Sequence, residues 1–171
     1  MTIIVDDAGS GDLLFGVVIG VYRVEDREFK YGVVDVKYFQ RPSFRRKEYL
    51  KQTSRLVLQL LEELELKTDE TVKICRGSIF DQALEDLRKK LGEARIQRVK
   101  VTGEPQYLIE TAYLDEIRNL GYEPLKEREL KRAKSFFHMM RWLKKNPDKM
   151  KHAKTGWPRL SKYRLFRSTS K

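Results

Sequence analysis

The chain has a single cysteine, only two histidines and no long hydrophobic run. Cys75 therefore has no partner for an internal disulfide. Neither it nor His138 or His152 stands at metal-ligand or catalytic-triad spacing. The apolar neighbours Val72 and Ile74 point instead to a buried, inert thiol. His138 reads as helix surface or packing, and His152 as a small addition to a basic patch below neutral pH. The longest apolar stretch, Leu13 to Tyr22, is about half a membrane span and is interrupted by Gly16 and Gly20. Met1-Thr2-Ile3-Ile4-Val5 runs straight into acids without a cationic lead, so no secretory signal is expected. These features predict a soluble, cytoplasmic protein with no membrane contact.

What is present is charge. Of 171 residues, 36% are charged and 40% hydrophobic, enough for one core of ordinary size with an extension. The Glu, Lys and Arg content is of the kind heat-loving organisms favour. The net charge of +11 is unevenly placed. Residues 1–124 hold 20 Lys/Arg and 22 Asp/Glu, a balance of −2, whereas residues 125–171 hold 16 and 3, a balance of +13. An excess confined to one end marks a binding element, and nucleic acid is the commonest polyanion in a cytoplasm.

Periodicity divides the chain. Thr2 to Asp6 reads as a short buried strand, followed by the turn residues Asp7-Ala8-Gly9-Ser10-Gly11-Asp12. Leu13 to Arg23 and Phe29 to Phe39 are rich in β-branched and aromatic residues and flank a polar link, as in an antiparallel hairpin. From Phe44 to about Lys67, leucines recur at three- and four-residue steps, predicting a helix. A strand at Thr71 to Cys75, a helix opened by Ser78, a strand at Ile96 to Val101 and a helix from Pro105 to Gly121 follow. A last helix is predicted over Leu125 to Lys145, with Leu130, Ala133, Phe137, Met140 and Leu143 inward, before an aperiodic basic tail.

This order implies an α/β fold with a mixed five-stranded sheet: three antiparallel strands, then β-α-β-α crossovers that set strands 1, 4 and 5 parallel. Strand 1 would be central. The division expected is an α/β domain over 1–123 and a basic helical extension over 124–171.

In a parallel sheet, ligands gather beyond the carboxyl ends of the strands, which is where Asp6 and Asp7 fall. Adjacent carboxylates there repel and lose hydration, and a divalent cation compensates for both. An Asx-type turn with Gly9 and Gly11 is the other reading. Val5-Asp6-Asp7-Ala8-Gly9-Ser10-Gly11 resembles the Asp-Glu-Ala-Gly-Arg-Gly signature of type-2 ribonucleases H. The element order over about residues 1–121 is similar to that of the ribonuclease H-like superfamily. The resemblance implies a nuclease using two Mg²⁺ or Mn²⁺ ions, with Asp6 as central metal ligand and Asp7 in the place of the signature's Glu. It also implies that the backbone of Gly9, Ser10 and Gly11 lies close to a nucleic-acid strand. Ser10 stands where the signature has Arg, and strand 4 ends Cys75-Arg76-Gly77 without an acid.

A two-ion site needs more carboxylates. Asp81, Glu104 and Glu48 are placed for it by position, and Asp12 is a further candidate. Each has a structural alternative: Asp81 and Glu104 suit the first turn of a helix, Glu48 a solvated surface, and Asp12 a turn. The catalytic and metal set expected is Asp6, Asp7, Asp81 and Glu104. In the tail, cations interleave with aromatics, and Lys144, Lys145, Lys149, Lys151, Lys154, Arg159, Lys162, Arg164 and Arg167 are the expected phosphate contacts. The function expected is a metal-dependent nuclease acting on RNA, DNA or a hybrid. The alternatives are a nucleic-acid-binding protein without catalysis and a module whose tail docks on an acidic protein.

Overall fold

The computed structural model describes residues 1–167. Strands β1 (Thr2–Ala8), β2 (Val17–Arg23) and β3 (Glu28–Val34) form an antiparallel meander. Helix α1 (Glu48–Glu63) leads to β4 (Thr71–Cys75), and α2 (Asp81–Leu91) leads to β5 (Ile96–Val99). Helices α3 (Glu104–Asn119), α4 (Arg132–Lys145) and the short α5 (Arg164–Arg167) complete the described chain. The sheet order is β3-β2-β1-β4-β5, with β4 parallel to β1 and β5 parallel to β4. This is the mixed α/β sheet that the alternation of elements predicts, with β1 in the middle.

Two apolar layers enclose the sheet. Alternation along β1 sends Ile3 and Val5 to the face covered by α1 and α2, where Val57, Leu60, Leu61 and Phe80 meet them. Ala8 and Val18 turn to the opposite face, against Ile109 and Tyr113 of α3 and Met139 and Leu143 of α4. Every residue of β2 is buried. Its last residue, Arg23, is accommodated because its guanidinium donates to Glu70 at 2.6 Å, Glu28 at 2.7 Å and the Leu64 carbonyl at 2.7 Å. That buried ion pair ties β2 to the end of α1 and the start of β4.

Several boundaries differ from the sequence pattern. The apolar run from Leu13 joins β2 only at Val17, because Leu14 forms an isolated bridge with Ala153 instead. Strand β3 stops at Val34, and Asp35 caps a helical turn over Val36–Phe39 by accepting from the Lys37 amide at 2.8 Å. Helix α4 begins at Arg132 rather than Leu125. The preceding residues turn irregularly so that Arg128 reaches buried Asp12 and half-buried Glu110, while Leu130 is left 85% exposed. The later start shifts the inward stripe of α4 to Ser135, Met139 and Leu143, and Phe137 lies outside it.

The basic tail folds back on the body. Lys154 N–H donates to the Leu13 carbonyl at 2.8 Å and Gly156 N–H to that of Phe39 at 2.9 Å. Trp157, Leu160 and Phe166 enter the same apolar cluster as α3 and α4. Among the described residues, no helix is long and apolar enough to cross a membrane.

Because Leu160 is buried in that cluster, Leu160→Ala should destabilise the whole protein by about 2–5 kcal/mol in a single urea transition. An unchanged transition would show that the tail adds nothing to the fold.

Candidate functional site

Strands β1 and β4 run parallel side by side, so their carboxyl ends open on the same edge of the sheet. A pocket of about 340 Å³ lies there. Its floor is Asp6, Asp7 and Cys75, which each offer a ligand atom within 4.8 Å of the others. The turn after β1 forms one wall. Gly9 adopts φ +89°, and a side chain there would strike the Tyr113 ring at 2.3 Å, so only glycine lets the turn lie against α3. The Asp12 amide closes that turn on the Gly9 carbonyl at 3.1 Å, leaving Ser10 and Gly11 at the rim.

Three more carboxylates line the pocket: Asp12, Glu110 of α3 and Glu129 of the α3–α4 connection. Arg128 is buried among them, ion-paired to Asp12, to Glu110 and, at 3.7 Å, to Glu129, with its guanidinium 5.1 Å from the Tyr113 ring centroid. Arg76, Lys100 and Arg132 add positive charge around the rim. The site is thus acidic at its floor and basic at its edge.

Burial sets the electrostatics. Asp6 is 7% exposed and its carboxyl is held above the usual range, first by lost hydration, against which the adjacent Cys75 thiol and the Asp7 backbone act. Asp7 is pushed up to about 6, chiefly by burial, with the Asp6 charge adding and Ser10, Arg132 and Lys154 opposing. Burial also raises the Cys75 thiol to about 11, so it stays protonated at neutral pH. Glu110 is raised by burial and by Glu129 and Asp12, against the pull of Arg128. The floor is therefore short of positive charge even though the rim is not.

The acids expected beside Asp6 and Asp7 are elsewhere. Asp81 opens α2 but is 58% exposed and pairs with Arg98 at 3.2 Å. Glu104 opens α3 but accepts from the Tyr22 hydroxyl and pairs with Arg27. Glu48 lies 3.8 Å from Arg46. None of the three lines the pocket. In each case a cation distant in sequence or on the adjoining loop claims the carboxylate. Sequence reasoning missed Glu110, Glu129, Arg128 and the rim cations. Glu110 did carry a signal, since it follows Gln106 by four residues and precedes Tyr113 by three, at the edge of the inward stripe of α3.

The tail cations divide. Lys144, Lys145, Lys151, Arg159, Lys162, Arg164 and Arg167 are exposed, and Lys149 is half-buried. Lys154 is fully buried. Its amine donates to the carbonyls of Asp12 at 2.7 Å and Leu14 at 3.2 Å, so it braces the turn and is withheld from any phosphate. Burial lowers it to about 7, against the attraction of Asp12 and Asp7. The two histidines are also structural. His138 Nδ1 is 2.6 Å from the Tyr122 hydroxyl, and half-buried His152 is lowered by desolvation and by Lys151 and Lys149.

A pH dependence follows. The Asp7 value of about 6 exceeds its ordinary 3.8, so the folded state binds more protons between those limits and stability falls as pH rises through them. Asp7→Asn removes this loss. Relative to the variant, the metal-free wild type should lose up to about 3 kcal/mol between pH 4 and pH 6.5. Urea unfolding in EDTA checks it, and a difference independent of pH would contradict the raised carboxyl of Asp7.

No family model, no curated protein and no solved structure matches this chain.

Proposed function

We propose that the protein is a divalent-metal-dependent nuclease of ribonuclease H-like fold, hydrolysing phosphodiesters in RNA, DNA or a hybrid. One observation carries the reading: Asp6 and Asp7, at the end of the central strand, meet Asp12, Glu110 and Glu129 in a single basic-rimmed pocket. The strand order β3-β2-β1-β4-β5 is compatible with that fold.

The donor set fits one hard cation, Mg²⁺ or Mn²⁺. Asp6 and Asp7 would hold it through carboxylate oxygens, and their raised values are those of a pair lacking a counter-charge. The Cys75 thiol, protonated at neutral pH, is a poor ligand for such an ion. When bound, the ion would polarise a phosphoryl oxygen and acidify a water. A second ion would need Asp12, Glu110 or Glu129, each of which Arg128 engages.

The chain's own residues have the remaining tasks. Arg76, Lys100 and Arg132 stand where they can neutralise the phosphates of a strand crossing the pocket. The glycine turn presents backbone with little side-chain bulk, which favours close approach of that strand. Tyr113 and Lys154 hold the turn by hydrogen bonds to the Leu14 and Asp12 carbonyls.

A second reading is a nucleic-acid-binding protein without catalysis. It is favoured by the single observation that Arg128 engages three of the five acids, Asp12, Glu110 and Glu129.

Incubation with Mg²⁺ or Mn²⁺ and a mixed set of RNA, DNA and hybrid substrates separates the two. The nuclease reading expects cleavage that EDTA abolishes and that Asp6→Asn lowers at least about 100-fold. No cleavage by the parent protein, or undiminished cleavage by the variant, defeats it. Salt-sensitive binding that survives EDTA without turnover supports the second reading.

A further inference from the structure

We infer that the strand is bound unpaired, with one base seated in an aromatic groove next to the acidic pocket; this rests on the phosphodiester reading above. The groove has a volume of about 520 Å³ and is walled by Phe39, Phe44, Tyr49, Trp157, Arg132 and Arg159. It shares Ser10, Gly11 and Arg132 with the acidic pocket, so the two are neighbouring compartments of one cleft separated by the glycine turn.

The lining suits a heteroaromatic ring. Phe44 and Tyr49 stack at 5.3 Å with an interplanar angle of 16°, and Phe39 lies 5.3 Å from Tyr49. The Arg159 guanidinium covers the Trp157 ring at 4.5 Å from its centroid, and Arg159 itself is exposed. The same guanidinium is 5.8 Å from the Phe136 centroid, and a planar cation held among rings on an exposed side chain can extend the stack to a base. Tight backbone packing holds these walls together: a side chain at Gly156 would lie 2.6 Å from both the Phe39 carbonyl oxygen and the Phe44 Cβ.

Charge assigns the occupant. The groove is walled by two arginines and no acid, whereas the pocket next to it is floored by acids. A nucleotide places its anionic phosphate and its ring side by side, so Arg132, common to both compartments, would take the phosphate while the ring lies on the aromatic wall. The bases of a duplex are stacked inside the helix and reach such a groove only after extrusion. The side-chain hydroxyls there belong to Tyr49, Ser10 and Ser78. Recognition is therefore by stacking and tolerant of base identity.

The test is fluorescence anisotropy with Ca²⁺ in place of Mg²⁺. The probes are a labelled single-stranded oligonucleotide, the same strand bearing abasic residues, and the matching duplex. The intact strand should bind about tenfold tighter than either of the others. Arg159→Ala should remove that preference, leaving the intact strand no tighter than the abasic strand. Arg159→Lys, which keeps the charge but loses the planar stack, should also remove it. Phe44→Ala gives a second, independent loss at the opposite wall. Equal affinity for intact strand, abasic strand and duplex overturns the inference and leaves the phosphodiester reading standing. No binding to any of the three overturns both.

Discussion

Two adjacent carboxylates, Asp6 buried and Asp7 half-buried, at the end of the middle strand are the constraint around which this molecule is arranged. Asp6 and Asp7 are held in place because β1 pairs with β4 up to Val5 and with β2 through Ala8, and its apolar residues are committed to both layers. The surroundings answer with cations. Arg132 at the rim and Lys154 behind the turn attract Asp7, while Arg128 is drawn into the pocket by Asp12, Glu110 and Glu129. The irregular path of residues 125–131 and the later start of α4 are consequences of bringing Arg128 inward.

The tail illustrates how composition and position can diverge. Its excess of positive charge suggests an appendage reaching for a polyanion, yet Ala153, Trp157, Leu160 and Phe166 are built into the second apolar layer. Lys154 is the extreme case, a lysine whose amine serves two backbone carbonyls in the interior. Burying an ammonium is costly, and the acids nearby are what make it tolerable. Of the tail cations that remain outside, Arg159 lines the aromatic groove beside the acidic pocket. On the proposed reading, the same segment contributes both to stability and to binding.

Much of the fold was legible because it rests on local pattern. Ile3-Ile4-Val5 reads as a central strand, leucine spacing as α1, and the switch from hairpin to alternating elements as a mixed sheet. The acidic turn was legible too, since Asp6 and Asp7 follow a buried strand directly. The rest of the site was not, because side-chain pairing across the fold decides it. Glu104 is claimed by Arg27 and Tyr22, and Asp81 by Arg98, through contacts that spacing does not encode. Glu110 flanks an apolar stripe and was overlooked in favour of acids at helix starts. Arg128 and Glu129 sit in a segment whose apparent helical period is overridden by the buried ion pair.

Metal-dependent cleavage by this protein requires a cation at the end of β1. Anomalous diffraction from a crystal soaked in Mn²⁺ at neutral pH addresses this directly. The account predicts an ion bridging the carboxylates of Asp6 and Asp7 at ordinary metal–oxygen distance, about 2.0–2.3 Å. No anomalous density there, with the two side chains instead hydrogen-bonded to each other or to Arg132, would contradict it.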